Sequence, residues 1–521
     1  MRFGFLIDQR RCIGCHACTV ACKQEQEVPL GVYRTWVKYV EKGEYPNTRR
    51  HFTVMRCNHC DNAPCIAICP TKALFKRDDG IVDFDTSRCI GCKSCMQACP
   101  YDALYVDPLE HTAQKCNFCA HRVDVGLKPA CEIVCPETAI ISGDLDDPES
   151  SIARLIAREP VSVRKPEQGT QPKLFYINAD ALTLTPGLTE RPATTMWGQL
   201  AVQSHGMTAP SDRATQPLPT ALRGEQYLPL PDSSARDVYD VAHPKPWGFF
   251  VSAYLWTKSI STGSLGVAAA FAFGPTALAE PFGLYAAIVA ILFIGITGVL
   301  LVADLKRPER FWFIFLKPNF RSWLVWGAYI IAIFGGLATL WGAAALFGLG
   351  ASAPLAIAAI LAAVAAAGYS GFLFGQAEGR DFWQSPLLPL HLIVQAVVAG
   401  AGALAIGAVL LGGTPPAPLV AALGIGVAAH LLVVASELLT PHANRDVAVA
   451  AHAMTNGPDA RLFWVGAMAV GVAIPLAILA AQAAGLLPVA LSAAAAGLAA
   501  TLGLLAYEHS WIRAGQAPPL S

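Results

Sequence analysis

The stretch Cys89-Ile90-Gly91-Cys92-Lys93-Ser94-Cys95-Met96-Gln97-Ala98-Cys99-Pro100 decides how this chain is read. Three thiols at two-residue intervals share one tight loop and reach three corners of a single iron–sulfur cluster, while the fourth points across to a neighbour. The same run stands at Cys12-x2-Cys15-x2-Cys18-x3-Cys22. Two looser versions are Cys57-x2-Cys60-x4-Cys65-x3-Cys69-Pro70 and Cys116-x2-Cys119-x11-Cys131-x3-Cys135-Pro136. Zinc competes, because it takes CxxC pairs at variable spacing in tetrahedral sites. A triple-cysteine run occurring twice, with proline after three of the four last cysteines, favours [4Fe-4S] clusters. At four ligands per cluster, the 16 cysteines serve four clusters and leave none for a disulfide or a catalytic thiol.

All 16 cysteines precede residue 136, and the rest of the 521-residue chain has none. Charge is divided the same way. The totals are 38 Lys+Arg and 38 Asp+Glu, but only 10 and 9 of them lie from Phe249 onward. No basic face is available for phosphate, so nucleic acid is not an expected partner. Met1–Arg11 has no apolar run of secretory-signal length, and no apolar stretch follows Arg10-Arg11 as a twin-arginine signal would require. A reducing compartment is therefore expected, where clustered cysteines bind metal more often than they form disulfides.

Three regions follow from composition: an iron–sulfur domain over 1–190, an extended connector over 191–246 with seven prolines from Pro210 to Pro246, and a membrane domain over 247–521. Within the first, Ile81–Phe84 and Leu174–Ile177 read as strands. The last contains eight apolar runs, at about 249–273, 283–303, 322–345, 353–376, 387–410, 418–440, 461–482 and 487–507, each long enough to span a hydrocarbon layer that needs ~20 helical residues. The fold class expected is thus an α+β tandem [4Fe-4S] domain fused to an all-α bundle of eight transmembrane helices. Lys306, Arg307, Arg310, Lys317, Arg321, Arg380, Arg445, Arg461 and Arg513 follow the even-numbered runs, while loops after runs one, three, five and seven carry no Lys or Arg. The positive-inside rule then places both termini and the cysteine domain in the cytoplasm, at a bacterial inner membrane.

Cys57-Asn58-His59-Cys60-Asp61-Asn62-Ala63-Pro64-Cys65, set among the other groups, resembles the four-cluster, ferredoxin-type electron-transfer subunit of the dimethyl sulfoxide reductase family of molybdenum enzymes, over about residues 1–185. The resemblance implies that the first group pairs with the fourth and the second with the third. One cluster would take Cys12, Cys15, Cys18 and Cys135, and the next Cys22, Cys116, Cys119 and Cys131. The inner two would take Cys57, Cys60, Cys65 and Cys99, then Cys69, Cys89, Cys92 and Cys95. Cys92 stands where some relatives lack a cysteine and hold three irons, so four cubanes are implied. Lys23 replaces the proline expected after Cys22, without bearing on ligation.

Trp247–Lys258, Asp304-Leu305-Lys306-Arg307-Pro308-Glu309-Arg310 and Ser385-Pro386-Leu387-Leu388-Pro389-Leu390 resemble the polysulfide reductase membrane-subunit (NrfD-like) family over about 245–515. That resemblance implies a quinone site, for menaquinone or ubiquinone, near the face carrying the iron–sulfur part. Ionisable residues inside spans are costly and often functional. Lys258, Asp304, Tyr369, His391 and Glu437 are accordingly the quinone-site candidates, although Asp304 and Glu437 also suit pairing with loop cations and Tyr369 suits an interfacial anchor. No haem is expected, because His391 and His430 are offset by roughly 9 Å when depth is counted at 1.5 Å per residue from the helix ends.

The function expected is an electron-transfer and membrane-anchor subunit passing electrons between a cytoplasmic molybdopterin-containing catalytic subunit and the quinone pool. It has no catalytic centre of its own apart from the quinone site. Alternatives are the equivalent subunit of a hydrogenase or larger quinol-oxidising complex, and a non-redox membrane scaffold with structural zinc.

Overall fold

Apolar residues dominate Phe3–Asp8, and the strand they form lies at the centre of a four-stranded sheet with Phe5, Leu6 and Ile7 buried. It pairs parallel to Leu174–Ile177 and antiparallel to Ile140–Asp144, and Val161–Ser162 closes the far edge. This computed structural model describes residues 1–190, 235–273, 280–349 and 352–521. The connector expected over 191–246 lies outside the described residues as far as 234. Its end does more than connect: Arg236–Tyr239 joins Thr35–Lys42 and Arg49–Arg56 as the third strand of a second sheet. There Asp237 meets Lys38 at 3.1 Å, both buried. The Ile81–Phe84 and Leu174–Ile177 readings correspond to the strands Val82–Phe84 and Leu174–Ile177.

Each cysteine group ends in a short helical segment: Ala17–Glu25, Pro64–Ile68, Ser94–Ala98 and Ala130–Ile133. The third and fourth cysteines of a group are four residues apart, about one helical turn. The loop before Ser94–Ala98 turns through left-handed backbone at Gly91 (φ 70°) and Lys93 (φ 64°), and Gly14 and His16 repeat this in the first group. A Cβ at Gly91 would also stand 2.6 Å from the Lys306 side chain, so glycine is required both for the turn and for close seating on the second half of the chain.

That second half is helical. Among the described residues, seven helices are long and apolar enough to cross a membrane: Gly283–Ala303, Trp323–Leu346, Ala353–Gly375, Leu388–Leu410, Ala417–Leu439, Leu462–Ala483 and Val489–Gly515. The eighth expected span does form a 23-residue helix, Phe249–Phe271, but does not meet the same standard of apolarity. Ser252, Thr257, Lys258, Ser259, Ser261, Thr262 and Ser264 lower its hydropathy, and all seven are buried against neighbouring helices. The last helix continues to Gly515, eight residues past the end expected from the apolar run. Arg445–Asn456, expected as loop, is a further short helix. Apolar side chains cover the outside, with Val299, Ile425 and Leu439 69%, 71% and 83% exposed. A soluble protein does not tolerate so large an apolar surface, and lipid does.

Inside the bundle, lipid tails are as apolar as leucine, so close approach of small residues holds the helices together. A Cβ at Gly263 would lie 1.7 Å from the carbonyl oxygen of Ala396, and one at Gly400 2.0 Å from the carbonyl carbon of Gly263. Gly263→Val is expected to force these helices apart and to cost roughly 1–3 kcal/mol or more. The yield and melting temperature of detergent-purified protein check it; a variant as stable as the parent would show that this crossing is looser than the structure has it.

Candidate functional site: four cysteine sets above a buried polar cluster

All 16 cysteines are free of disulfides, and the fold redistributes them across their sequence groups. Cys12, Cys15, Cys18 and Cys135 line a pocket with about 340 Å³ of empty space. Cys57, Cys60, Cys65 and Cys99 line another of about 310 Å³. Cys69, Cys89, Cys92 and Cys95 line a third of about 390 Å³. The remaining four, Cys22, Cys116, Cys119 and Cys131, lie within electrostatic reach of one another. These are the four ligand sets implied by the resemblance.

Burial raises many of these thiols, among them Cys12, Cys60, Cys89, Cys116 and Cys119. It pushes Cys22 up to about 11, and Cys18, Cys92 and Cys99 to about 12. Buried thiols of this kind stay protonated near neutrality unless a metal's positive charge holds them as thiolates. The donor set therefore fits a thiolate-ligated iron–sulfur group: sulfur on every side, largely apolar walls, and backbone N–H groups from His59, Gly91, Ala113 and Ala139 aimed at Cys57, Cys89 and Cys135.

The sets form a row. Numbered along the row, the first set is that of Cys12, the second that of Cys22, the third that of Cys57 and the fourth that of Cys69: Cys18 interacts electrostatically with Cys131, Cys116 with Cys57, and Cys65 with Cys95. At the outer end Cys15 is exposed. At the inner end the fourth set is seated on loops of the helical half. Lys306 and Arg307 donate backbone N–H to Gly91 and Ile90, and Arg310 donates to the Thr86 and Cys89 carbonyls. Asn319 Nδ2 donates to the Cys69 carbonyl at 2.8 Å, and Ser322 to that of Ile68. Asp304 meets Lys93 at 2.7 Å.

The helical half matches the family described as polysulphide reductase, NrfD, over residues 237–516, more than half of the chain. The chain belongs to the NrfD family. Residues 48–145 of this NrfD-family chain match a 4Fe-4S dicluster domain, so an iron–sulfur domain and an NrfD membrane domain are joined in one polypeptide. It is 45% identical to a tetrathionate reductase subunit of Salmonella typhimurium over 203 residues, 38% of this chain and 81% of that protein. It is 42% identical to a polysulfide reductase polypeptide of Wolinella succinogenes over 181 residues, 34% of this chain and 94% of that one. With the arsenate respiratory reductase iron-sulfur subunit of a Shewanella species it shares 34% identity over 227 residues, 34% of this chain and 97% of that protein.

Within the NrfD domain, the five residues singled out from sequence fall into three places. Asp304 lies at the interface, bonded to Lys93 and within electrostatic reach of Lys306 in its own basic loop. Lys258 and Tyr369 come together: the ammonium lies 4.7 Å from the ring centre of Tyr369 and donates to Ser370 Oγ at 2.6 Å and the Ala367 carbonyl at 3.0 Å. His391 and Glu437 form the third group, around Tyr507. The Tyr507 hydroxyl donates to Glu437 Oε2 at 3.3 Å, and its ring lies 5.3 Å from that of His391. The hydrogen bond of Glu437 thus comes from this tyrosine rather than from a loop arginine.

The expected offset between His391 and His430 does not hold. Nε2 of His391 and Nδ1 of His430 are 2.9 Å apart. Counting depth from helix ends assumes that the ends are level. Here the two helices pack so that the ring centres of His391 and His430 lie 5.0 Å apart, which level ends would not allow.

Sequence reading missed several members of this cluster. Glu508 is buried and interacts with Lys258, with Gln395 as its polar neighbour. Tyr254 lies within electrostatic reach of Tyr369, Glu508 and Asp304. Glu508 was legible as an acid following an apolar run, but ending the helix at 507 assigned it to the tail.

Proposed function

We propose that this chain is the electron-transfer and membrane-anchor subunit of a respiratory molybdopterin oxidoreductase complex, joining a cytoplasmic catalytic subunit to the quinone pool. The observation that carries this reading is the row of cysteine sets, exposed at Cys15 and ending on the helical domain above Asp304, Tyr254 and Lys258. Four [4Fe-4S] clusters, held by the four sets named above, would supply one-electron transfer along it. In each pocket the sulfurs line the walls, and among the described residues no three His, Cys, Asp or Glu converge tightly enough for a single ion, which favours a multi-iron group.

The chain's own residues do the rest. Asn319, Ser322 and Arg310 hold the fourth set against the bundle. Lys258, Tyr369 and Glu508 would orient a quinone head group, menaquinone or ubiquinone, or exchange its protons, with Asp304, His391 and Glu437 flanking them. The Phe249–Phe271 helix serves as an eighth span, its polar side chains turned inward. The basic residues that follow the even-numbered apolar runs support an iron–sulfur domain and both ends of the chain on the cytoplasmic face of a bacterial inner membrane. The C-terminal residues support a shared side, since the Pro518 and Leu520 carbonyls accept from Arg380 and Arg164.

Purified protein is expected to carry about sixteen iron and sixteen labile sulfide per chain, at four of each per [4Fe-4S] cluster. Dithionite reduction is expected to produce the EPR signals of reduced [4Fe-4S] clusters, and a quinol analogue to reduce them partially. Protein that is colourless and binds zinc would overturn the reading.

A further inference from the structure

Arg56 is a fully buried cation among the cysteine sets. It ends the strand Arg49–Arg56, directly before Cys57, and has 0% of its surface exposed. Its Nη1 donates to Cys131 Sγ at 3.1 Å, and its guanidinium carbon stands 4.4 Å from the ring centre of Phe5. The charge also acts on Cys116 and Cys18. Nε and Nη2 are buried without a hydrogen-bond partner among the described residues. A guanidinium left so incompletely satisfied is costly unless it faces negative charge. Where Cys57, Cys89 and Cys135 accept backbone N–H groups, Cys131 accepts a cation. The same set has a second polar donor, Gln26 Nε2 at 3.5 Å from Cys119 Sγ, itself held by Arg34 at 2.7 Å.

We infer that Arg56 is a tuning residue that raises the reduction potential of the cluster held by Cys22, Cys116, Cys119 and Cys131, directing its free N–H groups at that cluster's sulfur. This rests on the ligand sets proposed above. Reduction adds one negative charge to a cluster. A permanent positive charge at contact distance in a poorly screened interior favours the reduced form. The second position in the row thereby becomes a place where an electron rests, next to the outer set through which a catalytic partner would exchange it.

The test is an EPR-monitored redox titration of the full-length protein and its Arg56→Gln and Arg56→Lys variants, with iron and labile sulfide measured on each. In Arg56→Gln, the midpoint potential of the Cys131 cluster is expected to move furthest to a more negative value, that of the Cys18 cluster less, and the other two to stay, with iron unchanged; Arg56→Lys is expected to recover most of the shift. Four unshifted potentials in an iron-replete Arg56→Gln protein would overturn the inference. If Arg56→Gln loses iron, the parent decides: with 15N-labelled arginine, a reduced cluster is expected to show a 15N hyperfine coupling that Arg56→Lys abolishes, and absence of that coupling would equally overturn it. A parent protein with fewer than four clusters would instead refute the ligand sets.

Discussion

Cys99→Ala is expected to lower iron from about sixteen to about twelve atoms per chain, at four per [4Fe-4S] cluster, and, when a quinol analogue supplies the electrons, to confine cluster reduction to the set seated on the membrane domain. In sequence Cys99 ends the run that starts at Cys89, yet its side chain lines the pocket of Cys57, Cys60 and Cys65. It is buried, and burial pushes its thiol up to about 12, so only a metal's positive charge would hold it as a thiolate near neutrality. The set it completes is a middle link: Cys57 faces Cys116 on one side, and Cys65 faces Cys95 on the other. Removing it breaks the row while leaving the fourth set seated on the membrane domain. Iron analysis and EPR after addition of a quinol analogue, on the same preparation, distinguish the outcomes. Sixteen irons in the variant would refute the assignment of Cys99, and twelve irons with quinol-driven reduction of the outer clusters undiminished would refute a single row.

Lys258→Met is expected to leave all iron in place and to slow quinone turnover by about a hundredfold or more, the range in which a positioned proton donor or acceptor acts. Methionine keeps the unbranched stem, so packing against the neighbouring helices is conserved. What disappears is the ammonium that bonds Ser370 and the Ala367 carbonyl, lies over Tyr369 and interacts with Glu508. A charge fully buried in a membrane bundle is expensive, and function is the usual reason for keeping it. Glu508→Gln is expected to act in the same direction, because it removes the facing acid. Stopped-flow oxidation of dithionite-reduced protein by a soluble quinone analogue measures both. Turnover unchanged in Lys258→Met would restrict Lys258 to helix packing and remove the polar cluster from the mechanism.

The sequence was most informative where chemistry depends on spacing. The CxxCxxC runs, the abrupt end of cysteine usage after Cys135 and the apolar runs beyond Phe249 were sufficient to expect an iron–sulfur domain joined to a membrane bundle, because cluster ligation and bilayer thickness each impose a length that a sequence must display. The resemblance carried the exchange of ligands between groups, and three of the proposed sets each line one pocket, which supports that proposal. The polar cluster was only half legible. Lys258 and His391 stand out as ionisable residues in apolar runs, but Glu508 fell beyond the assumed helix end.

Only the tertiary structure decided which of these residues meet. Lys93 with Asp304 crosses from one domain to the other, Tyr254 lies within electrostatic reach of both Asp304 and Glu508, and Arg56 donates to Cys131, a residue 75 positions away along the chain. His391 and His430 touch because helix ends differ in depth. Spacing along a chain reports what a local loop or a single helix can do. Contacts between helices depend on how glycine crossings such as Gly263 with Gly400 set their offset, and no periodicity in one segment records the height of another.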